Sequence, residues 1–529
     1  MTRQRTCVQR GISRFAFTIA LATIGACARG EPSPLGTPDE REALVRDLVR
    51  QTLERTAWSP YTEGRPEQTF ERDALALIPE FRAADTDHAL LLALIRLSNL
   101  RHDRHLSVEP VAGGLQPPPI DAMAPIQFRT HFAVPGRYTL FVADYDRTLG
   151  ERAGDRPAVG DVLVAVDDVA IDEYARRLEP YLRYSTLDKR WWETAIAVSL
   201  KSWRFGPELY APGDSVRYRL QHADGSQYTL AVEHQPADGI QWAGHSTKRY
   251  PDFTRILTTA SFDAYVHARG KPLVILDYHR FEPSGPADID SLMSIASKRG
   301  LLDHAVFVDG TTSGGGSRGA YVLARLSPRP FKTTFGNLRL SDVTDRFIRE
   351  VKREHDEGGA AELSDGGGRL VEWLTTDVVA ALERRDAYSA AVPFKLAELP
   401  KDSDGTMSPA RLHFRGGLAA AFSPFGGSHL DQFAATVIDN DLGYTLGMSA
   451  GGYSNTWEWT DTLRLPGSGR PLATFMWNIG HTIRPNGEIL EGNAAPVQDR
   501  IPLTRENYST YHADLIARVL AHFDSTKRE

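Results

Sequence analysis

Residues 418–448 read LAAAFSPFGGSHLDQFAATVIDNDLGYTLGM. LAAAFSP is a short apolar run bounded by a Pro, the form of a buried strand. After Ser428, the residues Leu430, Phe433, Ala434, Val437 and Ile438 recur at helical spacing, and GYTLGM follows as a second short strand. Strand, helix, strand is the repeating unit of an α/β core. The stretch also presents two serines that could be nucleophiles. Ser449, in Gly447-Met448-Ser449-Ala450-Gly451, fits the G-x-S-x-G spelling of a nucleophile elbow, but Gly451-Gly452-Tyr453-Ser454-Asn455 is loop composition with no helix to complete one. Ser428 stands behind a strand at a helix amino terminus, where backbone N–H groups and the helix dipole favour negative charge, including the oxyanion of acyl transfer. Two other uses stay open: Ser428 with Asp431 as a plain N-cap with an acidic first turn, and an esterase built on Ser449, which requires a helix after GMSAG.

Outward from this unit the same texture continues. PLVILDYH (272–279) and AVFVDG (305–310) are buried-type strands separated by the helical ADIDSLMSIASKRG (287–300), and PLATFMW (471–477) reads as a further strand of the core. Within it, residues 340–400 hold SDVTDRFIREVKREH and RLVEWLTTDVVAALERR, two amphipathic helices around a Gly-rich bend. Residues 125–240 alternate in short stretches, RYTLFVADYD, DVLVAVDDVAI and SVRYRLQHADGSQYTLAVEH, a β-rich module with DG turn signals. Residues 38–124 begin with helical periodicity, REALVRDLVRQTL and DHALLLALIRLSNL, which ends in the charged run RHDRHLSV.

With 529 residues the chain exceeds one ordinary domain. Hydrophobic residues at 41% and charged residues at 24% are globular values, and a net charge of −7 without a long basic run excludes the electrostatic footprint of a nucleic-acid binder. The amino terminus, MTRQRTCVQRGISR followed by the 12-residue apolar run FAFTIALATIGA, has the form of a secretory signal over residues 1–27. Ile24-Gly25-Ala26-Cys27 resembles a bacterial lipobox, which implies lipidation of Cys27 and an extracytoplasmic, periplasm-facing protein that meets the membrane through that anchor. An ordinary cleaved signal is the alternative. The second cysteine, Cys7, falls within the signal, so no thiol remains for a disulfide or a Cys-based metal site. No HExxH-type spacing occurs, and TSGGGSRG lacks the GK[ST] of a phosphate-binding loop. Neither metal nor cofactor is expected.

Four stretches together resemble the C-terminal-processing (tail-specific) serine proteases, most closely their tricorn-core and retinoid-binding-protein branch. Gly160-Asp161-Val162-Leu163-Val164-Ala165-Val166-Asp167-Asp168 is similar to the G-D-x-I-x-x-I-D-G run of the family's PDZ-like domain. VFVDGTTSGGGSRGAYVLARL resembles its D-L-R-x-N-x-G-G turn, with Asp309 at the start and Gly315-Gly316 at the paired glycines, although Thr311 and Ser313 replace the usual Arg and Asn. SHLDQFAATVIDNDLGYTLG resembles the nucleophile segment, and GEILEGNAAPVQD the late acidic segment. The resemblance implies a crotonase/ClpP-like strand–helix core over 241–525, a PDZ-like module over 125–240, and a serine peptidase acting on polypeptides.

Residue by residue it implies Ser428 as nucleophile, His105 as general base and acid, Glu491 as the acid that orients the His, and backbone N–H groups of Gly315 or Gly316 and of His429 as oxyanion donors. Many relatives use a Lys about 25 residues after the Ser; that position is Tyr453, and no Lys occurs between Lys401 and Lys527, so a dyad with a lysine of this segment is excluded. Arg104 stands where the tricorn pattern has a Ser before its His. His102 and His105 could instead belong to a solvated charge run, and Glu491 could be a turn carboxylate. Because retinoid-binding relatives share the scaffold, a non-catalytic peptide- or lipid-binding protein is the competing class.

Overall fold

The computed structural model describes residues 34–526 apart from 151–155, 207–208, 210–214, 246–247, 249, 358–366, 394–403 and 456. The signal segment and Cys27 lie outside the described residues.

A seven-stranded sheet forms the centre, in the order Phe253–Thr258, Phe262–His267, Leu273–Tyr278, Ala305–Asp309, Leu418–Phe422, Tyr444–Gly447, Asp499–Arg500. The first three strands pair antiparallel in succession, and from Leu273–Tyr278 onward neighbours run parallel. Parallel neighbours need crossovers, and helices Gly285–Lys298 and His429–Asp439 supply two of them. The strands are apolar on both faces because both are covered. Val274, Leu276, Val306, Val308, Ala420 and Phe422 meet helices Gly285–Lys298, Gly319–Leu326 and His429–Asp439 on one side. Ile275, Phe307, Ala419, Ala421 and Leu446 meet helix Tyr511–Thr526 on the other, through Leu515, Ile516 and Val519.

Residues 126–233 build a second, largely antiparallel sheet, Ile126–Val134, Arg137–Tyr145, Val162–Val166, Ser215–Gln221 and Gln227–Glu233, with the short Val169–Ala170 beside Val162–Val166. Helix Leu187–Ala197 lies against its first strand. Phe132 and Trp192 from this module join the cluster on the second face of the central sheet, so the two modules share a core.

The third cluster joins segments far apart in sequence. Helices Pro38–Arg55 and Asp87–Asn99 pack with helix Thr344–Asp356, with Trp373, Leu374 and Val378, and with strand Pro471–Asn478. Here one expectation fails: PLATFMW does not extend the central sheet. It pairs antiparallel with Glu458–Arg464 and Val108–Pro110 in a separate sheet, because its alternating Ala473, Phe475 and Trp477 find their apolar cover on the amino-terminal helices. No helix among the described residues is long and apolar enough to cross a membrane.

Candidate active site

Strand Leu418–Phe422 ends at a turn whose last residue, Ser428, has φ 60° and ψ −123°, and helix His429–Asp439 begins immediately after it. A side-chain-bearing residue in this region is strained by about 1–3 kcal/mol and persists only where its surroundings enforce it. The surroundings do so by close packing. A Cβ on Gly426 would fall 2.1 Å from the Ser313 carbonyl oxygen, and one on Gly427 would fall 2.1 Å from the Tyr453 ring. Ser428 N–H donates to the Tyr453 carbonyl at 2.6 Å. The Ser428 side chain makes no capping hydrogen bond, so the plain N-cap reading fails. Asp431 turns away from the helix start and accepts the N–H groups of Gly452 and Tyr453 at 3.0 Å each. Strand, strained serine, helix is the arrangement of a nucleophile elbow without its usual spelling. Ser449 lies in irregular chain after Tyr444–Gly447, with no helix following.

The glycine turn closes on the same serine. Phe281 N–H donates to the Gly315 carbonyl at 3.2 Å, and Ser317 N–H donates to the Phe281 carbonyl at 2.9 Å. Gly316 has φ 139°, and a Cβ there would fall 1.9 Å from the Phe281 oxygen. A Cβ on Gly315 would sit 2.5 Å from Ser428 Cβ and 2.9 Å from its Oγ. The Gly315 backbone therefore lies directly against the hydroxyl, an approach that any side chain would block. His429 opens the helix, in the turn whose amides have no acceptor within the helix. Its ring is engaged elsewhere, with Nε2 accepting Gly319 N–H at 2.6 Å.

The run 101–107 is not a solvated charge run. Arg101 is buried, its guanidinium donating to the Met476 carbonyl at 2.6 Å and stacking 4.5 Å over Phe475, and burial pushes it down to about 9. Asp103, also buried, accepts His105 N–H at 3.0 Å and Asn455 Nδ2–H at 3.0 Å. Glu491 is buried and accepts Ser454 N–H at 2.8 Å, while its Oε1 has no hydrogen-bond partner among the described residues. Asp103, His105 and Glu491 each bring a polar atom into a cluster spanning no more than 4.8 Å. Burial raises both carboxyls, and for Glu491 the charge of Asp103 adds to it. Two such groups cannot both ionise cheaply, so each opposes the ionisation of the other. The same donors are close enough to share one cation, although no sequence spacing announced it.

Tyr453 connects the two halves. Its ring meets His105 edge-on at 5.0 Å between centroids, on the residue whose carbonyl holds Ser428 N–H. Around it the middle module contributes Lys189, whose Nζ donates to the Phe425 carbonyl at 2.7 Å and pairs with Glu193 at 2.9 Å. Arg104 pairs with Glu193 at 3.0 Å. Burial alone would raise Glu193, yet the charges of Lys189 and Arg104 hold it near 2. Sequence reasoning missed Asp103 and Lys189. The spacing of Asp103 two residues before His105 was a signal for the first; nothing local marked the second.

No family model matches the chain, and no curated protein matches it by sequence. Solved structures do. Mature CPAF superposes with a TM-score of 0.66 at 14% identity, covering 91% of this chain and 96% of that one. Mature CPAF complexed with lactacystin gives 0.66 and 14%, over 91% and 98%. The photosystem II D1 C-terminal processing protease is a looser likeness, TM-score 0.39 at 12% identity over 87% and 93%, too loose to align site residues. The resemblance to processing proteases read from four short motifs is borne out at the level of fold.

Proposed function

We propose that the chain is a serine-type peptidase of the tail-specific, tricorn-like kind, with residues 241–525 as a crotonase/ClpP-like core and 125–240 as a PDZ-like module. One observation carries the reading: Ser428 is held at φ 60° between strand and helix, uncapped, with the Gly315 backbone against its Oγ. A structural serine gains nothing from that strain; a nucleophile gains an exposed Oγ beside oxyanion donors.

In the proposed reaction His105 takes the Ser428 proton as Oγ attacks the peptide carbonyl. The oxyanion is met by N–H groups of the Gly315-Gly316 turn and of His429. The carboxyl pair Asp103 and Glu491 stabilises the imidazolium, which gives its proton to the leaving amine as the C–N bond breaks. Water then attacks the acyl-Ser428 ester with His105 again as base, releasing the acid and restoring the hydroxyl. Labelling with a fluorophosphonate and mapping the adduct tests this reading: it requires phosphonylated Ser428, whereas an adduct on Ser449 means an esterase of another kind and no adduct means a binding protein.

Lipidation at Cys27 and a periplasm-facing location complete the proposal, supported by the lipobox resemblance. Cys27→Ser should abolish lipid labelling and release the mature protein; unchanged membrane retention would overturn the anchor.

A further inference from the structure

A cavity of about 390 Å³ lies where the central sheet, the middle module and the carboxy-terminal helix meet. It opens outside the carboxyl ends of strands Ala305–Asp309 and Leu418–Phe422, the edge at which α/β sheets bind ligands. Thr311 and Phe425 line it. Thr311 begins the glycine turn and Phe425 stands three residues before Ser428, and Ser423 Oγ–H, on the same wall, donates to the Thr311 carbonyl at 2.6 Å. The cavity thus shares both loops of the candidate active site.

Arg129 lines the cavity, and no Asp or Glu lines it among the described residues; of the two lining histidines, His512 places Nδ1 3.2 Å from the buried Asp309 carboxylate. Arg129 Nη1 donates to the Phe128 carbonyl at 2.9 Å, its guanidinium lies 5.7 Å from the Trp192 ring, and no described carboxylate forms an ion pair with it. Asp144 acts on it through charge without an ion pair, after Tyr508 on the cavity wall. A guanidinium enclosed without a counter-ion is costly, and a bound carboxylate matching its two-pronged geometry relieves that cost. Trp192 and the half-exposed Phe425 add apolar walls suited to the methylenes of a side chain or backbone.

We propose that this cavity is a substrate subsite for a peptide carboxylate, with Arg129 as counter-ion. The proposal rests on the peptidase reading for its polypeptide ligand. The carboxylate can come from an acidic side chain near the scissile bond or from the free end of the chain.

The test measures binding to the Ser428→Ala protein, which needs no turnover, using hexapeptide libraries with Glu or Gln fixed at each position and with free or amidated ends. Glu over Gln at one position, or free over amidated end, should gain about 10-fold or more in affinity; the first assigns a side chain, the second the chain terminus. Arg129→Met in the same background should erase that gain and leave the affinity for the neutral peptide within about 3-fold. Ser509→Glu, an exposed residue at the rim that sets a resident carboxylate in the cavity, should do the same with Arg129 intact and guards against a misfolded Arg129 variant. Equal binding of charged and neutral peptides, or a gain retained in both variants, overturns the subsite. Failure of the fluorophosphonate to label Ser428 would overturn the peptidase reading separately.

Discussion

The two sides of the candidate site are built by opposite means. The Ser428 side is backbone: glycines at 426, 427, 315 and 316 bring main chain to within van der Waals contact, and a single residue takes up the strain. The His105 side is buried charge: Arg101, Asp103 and Glu491 lie under the surface, each held by partners from distant segments such as Met476, Asn455 and Ser454. Geometry fixed by packing tolerates no added atom. Geometry fixed by electrostatics tolerates isosteric change but answers to pH.

The sharpest way to break this division is to remove one member from each side. Ser428→Ala and His105→Ala should each lower kcat/KM on an unfolded protein substrate by about 10³-fold or more, and the double variant little further, since members of one unit act non-additively. A near-normal His105→Ala beside an inactive Ser428→Ala would detach the charged side from the chemistry. Next come the carboxyls. Asp103→Asn or Glu491→Gln alone should cost about 10-fold, because the survivor, relieved of its neighbour, ionises and keeps the charge beside His105. The double variant should cost roughly 1,000-fold or more, well beyond the product of the two singles, and lower the midpoint of the pH–activity curve, as the imidazolium loses its buried counter-charge and keeps, among the described carboxylates, only Glu458 at 4.0 Å. Simple additivity of the two would mean that they do not share a charge.

Asp431 tests the boundary, since it is a buried charge that serves the backbone side. Burial pushes it up to about 7, against the hydrogen bonds from Tyr453 and Gly452. A carboxyl raised in the folded state contributes stability below its unfolded value near 4 that is lost as pH rises through about 7. Asp431→Asn removes that loss, so the stability of the variant relative to the parent should rise by a few kcal/mol between about pH 4 and 7 and level off above. Urea titrations across that range measure it, and a flat difference would show Asp431 to be ordinary. The smallest effect on turnover belongs to His429→Ala. It keeps the main-chain N–H and should hold kcat/KM within about 10-fold, while the loss of the acceptor for Gly319 N–H costs about 1–3 kcal/mol of stability.

What could be read in advance follows from range. The strand–helix–strand unit around Ser428 rests on periodicities of two and 3.6 within some thirty residues, and the absence of a helix after Ser449 is equally local. The destination of PLATFMW was not local: a strand of either sheet has the same alternation, and its partner was chosen by the apolar face of helices some 400 positions earlier. The charged run around His105 misled for the same reason, because burial of a charge depends on acceptors that only folding supplies.

By itself the sequence determined the α/β core, the absence of a helix after Ser449 and the glycine turn, and by resemblance it proposed Ser428 with His105 and Glu491. It did so because short-range periodicity, glycine placement and family motifs are written in consecutive residues. The tertiary structure alone decided that Ser428 is strained rather than a cap, that Asp103 joins His105 and Glu491, that Lys189 reaches the turn before Ser428 from another module, and that no acid lines the cavity beside Arg129 among the described residues. Those are properties of distances between segments far apart in the chain, fixed by close packing and by the cost of burying unpaired charge.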